Sequence, residues 1–344
     1  MPSDRRRVRE LGVSIGRFQP GPRNALVDVP GVLVGHRTLI LDEPVVRSGV
    51  TAVLPHGGNV WAEKVLGACH VINGYGKAAG LTQLAELGTV ESPILVTDTL
   101  SVGPVWEGGL RHVLDRNPEA GRRHTVNVIV AECFDGYLSD ARGLHVRAEH
   151  AIEAIEAARD DEVAEGSVGA GTGTTCFGFK GGVGTSSRVL DGGIVLGALV
   201  VANYGRRGDL HLLSGVLPDA PGAEASGGSV VVILATDAPL SERQLGRLAK
   251  RATFGLARAG SFGANPSGDY VIAFSTSHRI PHRAEARREE TSYLRDDGIA
   301  MRELFEAAGE ATEEAVLNSL CVADAMEGRD GNGVEAFPYD LLPG

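Results

Sequence analysis

The chain has 344 residues, of which 43% are hydrophobic and 22% charged, so it carries enough apolar material for a sizeable core and is not intrinsically disordered. Lys and Arg number 33 against 44 Asp and Glu, and the resulting net charge of −11 disfavours binding to a nucleic-acid backbone. No apolar stretch of the ~18 residues that a membrane span needs is present, and the basic start at residues 4–10 lacks the apolar segment of a signal peptide.

Two segments have the composition of linkers. Residues 1–22 form a charged arm that we predict to be mobile. Residues 217–228 combine prolines and glycines without apolar periodicity, which is typical of an exposed flexible loop.

Strands are predicted where apolar and β-branched residues cluster between turn signals. Their ranges are 26–34, 50–54, 94–97, 126–130, 174–179, 193–203, 229–235 and 270–275. Helical spacing of apolar residues predicts helices over 77–87, 146–158, 242–259 and 301–324, the third with Ser241 as N-cap and Gly260 beyond its end. Because these elements interleave without a regular βαβ rhythm, we predict an α+β fold in layers, with helices on the outer faces of packed sheets.

Several common catalytic patterns are excluded. The glycine-rich tract at 169–174 is followed by residues typical of a strand, where a dinucleotide-binding fingerprint requires a helix. In a P-loop the lysine follows the glycines, whereas Lys180 precedes the glycines of residues 181–188. This stretch is therefore interpreted as a tight hairpin. His278 and His282 have a proline between them, and no paired metal-ligand motif exists, so no metal site is predicted. The GxSxG motif of α/β-hydrolases is also absent.

The junction at Gly227, Gly228 and Ser229 is the most informative local feature. A soft loop runs directly into the β-branched stretch 229–235, which predicts a strand buried on both faces. A flexible backbone lets the Ser229 hydroxyl attack the preceding carbonyl, and an N-to-O acyl shift followed by hydrolysis would free Ser229 as a new N-terminus. Its α-amine, with an ordinary pKa of about 7.7 to 8.0, suits a general base. An ordinary linker entering a strand explains the same pattern.

The run GSVVVILATDAPL at 228–240 resembles the self-cleavage junction of the DmpA family of L-aminopeptidase/D-amidase-esterases and β-peptidyl aminopeptidases. Ordered matches continue over nearly the whole chain from about residue 28. They are DVPGVLVGH at 28–36, NGYGK at 73–77, ESPI at 91–94, TDTLSVG at 97–103, ECFDGYL at 132–138 and FKGGVGTSSR at 179–188.

This resemblance implies one αββα four-layer sandwich over residues 1–344, made as a precursor and cut into chains 1–228 and 229–344 that stay together. It implies an enzyme acting on small peptides, amides or esters with a free amino group, without metal or organic cofactor. From the negative charge and the lack of an apolar span we expect no nucleic-acid or membrane partner, and we expect a cytoplasmic location. A homo-oligomer, a tetramer of such heterodimers, is expected as well. Four scattered cysteines agree with reduced thiols in that compartment.

The resemblance also assigns roles to residues. It implies that Ser229 is the nucleophile, that Ser267 and Asp269 orient the Ser229 amine, and that Asn203 serves the oxyanion hole. Turn formation is the alternative explanation of all three supporting residues. Self-cleavage would fall between Gly228 and Ser229.

Three further residues are expected to contact substrate. Glu132 ends an apolar strand, where its carboxylate would receive an ammonium group, although a solvated strand end gives the same pattern. Phe134 stands where the family's aminopeptidases carry a tyrosine whose hydroxyl helps the oxyanion, and Tyr137 is a substitute. Lys77 replaces an acidic residue familiar in that neighbourhood.

We therefore predict a self-processing N-terminal-serine hydrolase of the aminopeptidase/amidase-esterase type. The alternatives are an acyltransferase of the ornithine acetyltransferase type, a hydrolase of ω-amide oligomers, and an uncleaved binding protein of the same fold.

Overall fold

The computed structural model describes residues 4–212, 215–216, 228–284, 286–288 and 290–342. Apart from Gly228, the loop predicted at 217–228 lies outside the described residues. The α-helices are α1 (Leu81–Leu87), α2 (Val102–Arg116), α3 (Ala148–Glu156), α4 (Glu242–Ala259) and α5 (Ile299–Cys321).

The strands of the described chain are β1 (Leu33–Asp42), β2 (Val45–Leu54), β3 (Glu63–Gly74), β4 (Thr89–Val90), β5 (Ile94–Thr97), β6 (Ile129–Glu132), β7 (Thr175–Cys176), β8 (Phe179–Lys180), β9 (Gly182–Val189), β10 (Val195–Asn203), β11 (His211–Leu212), β12 (Gly215–Val216), β13 (Ser229–Thr236), β14 (Gly268–Pro281), β15 (Met326–Glu327) and β16 (Gly333–Val334).

Two larger sheets carry the architecture. One has the strand order β4-β3-β14-β13-β10-β9 and the other has the order β1-β2-β5-β6. Strand β13 lies inside the first sheet, antiparallel to β10 and parallel to β14. Its first residue, Ser229, is therefore held between two neighbouring strands.

Side-chain alternation along β13 shows how the layers stack. Val230 and Val232 point into the core that α4 and α5 cover, whereas Val231 and Ile233 point into the core between the two sheets. A third core separates the four-stranded sheet from α2 and α3. Three cores make four layers, helix–sheet–sheet–helix, and the predicted αββα sandwich is confirmed.

Helix α4 begins and ends where the sequence predicts. The Ser241 side chain accepts a hydrogen bond from the Gln244 amide at 3.3 Å, and the Gln244 side chain accepts one from the Ser241 amide at 2.9 Å. Gly260 closes the helix at φ +115°, a conformation that favours glycine.

Some of the sequence predictions about strands are wrong. Residues 174–179 do not form one strand, since β7 and β8 pair antiparallel across a turn at Phe177 and Gly178. Residues 26–34 do not form one strand: a 3₁₀ turn at Leu26–Asp28 is held by the Asp28 carboxylate, and a left-handed Gly31 precedes β1. Residues 181–188 are not a hairpin, since β9 pairs with β10 along its whole length. Glycine serves there for close packing, because a side chain on Gly184 would collide with the Ala315 carbonyl of α5.

Residues 4–22 are packed against the molecule, contrary to the prediction of a mobile arm. Val8 is fully buried, Arg7 pairs with Glu165 at 2.8 Å, and Arg9 pairs with Glu314 at 2.8 Å. The charged residues that suggested a solvated arm form these ion pairs, which hold the arm against the rest of the molecule.

The glycine-rich tract at 169–174 is organised around a buried lysine. The Lys180 ammonium donates to the carbonyls of Gly171, Thr174 and Gly181 at 3.1, 3.0 and 2.9 Å. Burial lowers the pKa of Lys180 to about 7.

Among the described helices, none is long and apolar enough to cross a membrane.

Candidate active site

A cavity of about 1110 Å³ opens at the start of β13. Ser229 lines it and is only 2% exposed. Its strand neighbours are Asn203 at the end of β10 and Gly268 at the start of β14. The predicted nucleophile thus lies at an edge where three strands bring polar groups together.

Two donors converge on the Ser229 hydroxyl oxygen. The backbone amide of Phe134 lies 3.1 Å from Oγ, and the side-chain Nδ2 of Asn203 lies 3.3 Å from it. The orientation of the Asn203 amide is fixed, because its Oδ1 accepts a hydrogen bond from the Thr175 amide at 2.9 Å. This geometry suits stabilisation of negative charge next to Oγ.

The peptide bond before Ser229 is held as well. The Gly228 carbonyl accepts a hydrogen bond from the Gly268 amide at 3.2 Å, and the Gly228 amide donates to the Pro266 carbonyl at 3.2 Å. A side chain on Gly228 would begin 3.1 Å from the Ser267 hydroxyl and 3.0 Å from Tyr204 Cβ. Hence the Ser267 hydroxyl flanks the Gly228–Ser229 bond.

Ser267 and Asp269 form a buried pair. The Ser267 hydroxyl donates to Asp269 Oδ1 at 2.5 Å, and each residue is 2% exposed. Asn73 fixes the preceding loop by donating from Nδ2 to the Ser267 carbonyl at 2.5 Å. Burial raises the pKa of Asp269 to about 6, and the Ser267 hydrogen bond opposes that rise.

Glu132 lines the same cavity at the end of β6 and is 2% exposed. Its Oε1 accepts a hydrogen bond from the Lys77 amide at 3.1 Å, and its Oε2 accepts one from the Thr99 hydroxyl. Burial raises the pKa of the Glu132 carboxyl. A cation in the cavity would favour its ionised form, so this carboxylate is suited to an ammonium group.

Phe134 and Tyr137 line the cavity too, with 45% and 51% of their surface exposed. The contact that position 134 makes with Ser229 comes from its backbone amide, so it does not depend on a side-chain hydroxyl. Sequence reasoning missed this donor, and the Gly268 amide, because backbone groups leave no residue-type signal. Lys77 similarly contributes its amide to Glu132.

A buried pair of carboxyl groups, Asp98 and Asp135, supports the segment that follows Glu132. They are 2% and 1% exposed, and Asp98 Oδ2 accepts a hydrogen bond from the Leu100 amide at 2.9 Å. Burial and their mutual proximity raise the pKa of Asp135 well above its usual range, and burial raises that of Asp98. These raised pKa values favour protonation of the pair.

No group of three His, Cys, Asp or Glu side chains among the described residues is placed to hold a metal ion. The polar groups around Ser229 are instead hydroxyl, amide and carboxyl groups, which are the components of acyl transfer.

Comparisons with known proteins identify the family of this chain. Residues 24–334 match the model of peptidase family S58. The beta-peptidyl aminopeptidase BapA of Sphingosinicella microcystinivorans is 39% identical, covering 98% of this chain and 90% of that protein.

Two solved structures superpose closely. One is a protein of Pyrococcus horikoshii OT3, 48% identical with a TM-score of 0.91 and 97% coverage of both chains. The other is the L-aminopeptidase D-Ala-esterase/amidase of Ochrobactrum anthropi, 36% identical with a TM-score of 0.89, covering 97% of this chain and 96% of that one. The latter is described as a variant of the Ntn hydrolase fold and a prototype of the serine aminopeptidases.

Proposed function

This chain belongs to peptidase family S58 and is a serine aminopeptidase of the amidase type, and we propose that Ser229 is its nucleophile and is generated by self-cleavage. The placement of Ser229 Oγ, in the wall of a large cavity and within reach of two donors, is the observation that carries this proposal. The resulting single domain consists of chains 1–228 and 229–344.

Self-cleavage begins with attack of Ser229 Oγ on the Gly228 carbonyl carbon. The Gly268 amide, 3.2 Å from the Gly228 oxygen, stabilises the charge that develops there. An Oγ–C bond forms, the C–N bond breaks, and the Ser229 nitrogen gains the proton that Oγ loses. Water then hydrolyses the ester, which leaves a carboxylate on Gly228 and a free amine on Ser229.

Turnover repeats the chemistry on substrate. The neutral Ser229 amine takes the Oγ proton, Oγ attacks the substrate carbonyl, and the Phe134 amide and Asn203 Nδ2 stabilise the oxyanion. Asp269 holds the Ser267 hydroxyl beside the Ser229 amine and so keeps that amine oriented. The protonated amine next gives its proton to the leaving nitrogen, and water releases the acyl group.

Glu132 is proposed to bind the ammonium group of the substrate. It is a buried carboxyl in the cavity wall, on the Gly268 side of Ser229. Replacing it by Gln keeps one oxygen to accept from the Lys77 amide and removes the charge. We expect KM for aminoacyl amides to rise about tenfold or more, because hydrogen bonds to charged groups are worth about 1.5–3 kcal/mol. An unchanged KM in Glu132→Gln would contradict this role.

Intact-mass analysis of the purified protein tests the self-cleavage. Two masses are expected, corresponding to residues 1–228 and 229–344, and N-terminal sequencing of the smaller should begin at Ser229. The matched control is Ser229→Ala, which lacks the attacking oxygen and should give one uncut chain without turnover. An uncut wild-type chain that hydrolyses aminoacyl amides would contradict the proposal.

The acyltransferase alternative is not supported, because the matched relatives are named as aminopeptidases.

The assembly is proposed to be a homo-oligomer of cut protomers. Phe254 and Phe262 support this, since they are 61% and 68% exposed and offer apolar surface for contacts between copies. Light scattering of the purified enzyme measures its mass directly, and a protomer mass would contradict oligomerisation.

The cytoplasmic location is a proposal supported by four free cysteines, and cell fractionation tests it.

A further inference from the structure

We propose that Arg207 forms a subsite for the free carboxylate of the substrate, opposite Glu132, and that the enzyme therefore prefers dipeptides and other short peptides with a free C-terminus. This inference rests on the proposed function, because it takes Ser229 as the point of attack. Arg207 would give the cavity a second charged group besides Glu132, and these two groups are called the two poles of the cavity.

Strand register places the two poles on opposite sides of the nucleophile. Ser229 pairs with Gly268 on one side and with Asn203 on the other. Glu132 belongs to the Gly268 side, where its Oε1 lies 3.4 Å from the position of a Gly268 side chain.

The other side is built from β7 and the turn that follows it. The Thr175 amide binds the Asn203 side chain, and the Arg207 side chain packs on that segment, with Cγ 3.0 Å from the position of a Gly178 side chain. Both Gly178 and Arg207 line the cavity. A substrate that lies across Ser229 therefore extends from a carboxylate towards a guanidinium group.

Arg207 is preorganised for an anion. Its guanidinium carbon lies 4.3 Å from the centre of the Phe179 ring, which holds the planar group in place. Its Nε is buried and has no hydrogen-bond partner among the described residues, so the terminal nitrogens Nη1 and Nη2 are the donors available to a ligand. These two nitrogens can bind a carboxylate through two parallel hydrogen bonds.

The present partner of Arg207 is easily displaced. Arg207 Nη2 lies 3.3 Å from Glu335 Oε2, but the Glu335 side chain is 81% exposed whereas that of Arg207 is 30% exposed. An ion pair with a solvated carboxylate contributes little, so exchange for a substrate carboxylate costs little. Arg329 also lines the cavity, where the Gly136 carbonyl holds it at 2.7 Å and Asp330 pairs with it at 2.5 Å.

The spacing suits short peptides. Neighbouring strands lie about 4.7–4.9 Å apart, and one extended residue spans about 3.3–3.6 Å. With the scissile carbonyl at Ser229, we expect an amine one residue away to lie on the Glu132 side and a carboxylate one or two residues away in the other direction to lie on the Arg207 side.

A matched pair of substrates tests the subsite: L-alanyl-L-alanine and its C-terminal amide, with release of the first alanine measured as kcat/KM. The wild-type cut enzyme should prefer the acid. Arg207→Gln should lower kcat/KM for the acid about tenfold to a hundredfold more than for the amide, mainly through KM, since one charge-assisted contact is lost. Arg207→Lys keeps the charge without the planar guanidinium group. Its acid-to-amide ratio of kcat/KM should lie between those of the wild type and Arg207→Gln.

Two further variants sharpen the outcome. Glu335→Gln should increase the preference for the acid by removing the competing carboxylate. Arg111→Gln removes a surface arginine that is paired with Glu107 on α2, and it should keep the wild-type ratio. Self-cleavage, measured by mass, verifies that each variant is folded.

An acid-to-amide ratio that stays at the wild-type value in cut Arg207→Gln and Glu335→Gln would overturn the subsite while leaving the proposed function intact. A wild-type preference for the amide would do the same. Failure of the cut wild-type enzyme to hydrolyse either compound would overturn the proposed function and the subsite with it.

Discussion

Replacing Asn203 by Ala removes one of the two donors near Ser229 Oγ, the one at 3.3 Å, and leaves the Phe134 amide at 3.1 Å in place. Asn203 is 7% exposed, so water competes little with its side chain. Loss of one such oxyanion donor typically lowers kcat by about 10²- to 10³-fold, or about 2.7–4 kcal/mol. Because the donor acts on charge that develops in the transition state, KM should change little.

The variant also removes the acceptor for the Thr175 amide, so some stability will be lost. Asn203→Asp retains that acceptor and replaces the donor by an oxygen, and its loss of kcat should equal or exceed that of Asn203→Ala. The assay is hydrolysis of an aminoacyl p-nitroanilide, with rates divided by the cut fraction from intact mass. Asn117→Ala is the control, since Asn117 is also 7% exposed and lies outside the residues that line the cavity. Full kcat per cut molecule in Asn203→Ala would refute the oxyanion assignment.

Other measurements test the rest of the site. Gly228→Ala should slow self-cleavage, as followed by gel densitometry over time, because the added methyl group would begin 3.0 Å from Tyr204 Cβ; cleavage at the wild-type rate would contradict that packing. A plot of kcat/KM against pH should rise as Asp269 ionises near pH 6, its raised pKa, and rise again as the Ser229 amine loses its proton. Asp269→Asn should remove the first rise and keep the second, and a profile unchanged by this substitution would exclude Asp269. Lys180→Met should lower Tm by several degrees, because three carbonyls lose their buried donor, and an unchanged Tm would show that they find other partners.

The elements that the sequence predicted well are those whose signals are local. Helix α4 carries its own caps at Ser241 and Gly260, and the strands at Ile94–Thr97 and Ser229–Thr236 are runs of apolar residues bounded by polar ones. Helix α2 was missed because it contains several glycines. Gly108 allows close contact between α2 and α3, since a side chain there would collide with the Ala148 carbonyl, and that requirement exists only in the folded molecule.

The same division applies to the site. Ser229, Asn203 and Ser267 were predicted from the junction and from the resemblance to a known family, and the structure brings them together around the Gly228–Ser229 bond. The backbone donors of Phe134 and Gly268 were not predictable, because any residue type supplies an amide. Their positions depend on how separate strands are aligned.

Trapping the acyl-enzyme tests the central claim most directly. The enzyme is mixed with a slowly hydrolysed aminoacyl ester, quenched in acid within the first turnover, and analysed by mass spectrometry with fragmentation. A mass increase of one acyl group is expected on the fragment that begins at Ser229, located on the Ser229 side chain and absent from Ser229→Ala. An adduct on any other residue, with turnover intact, would contradict it.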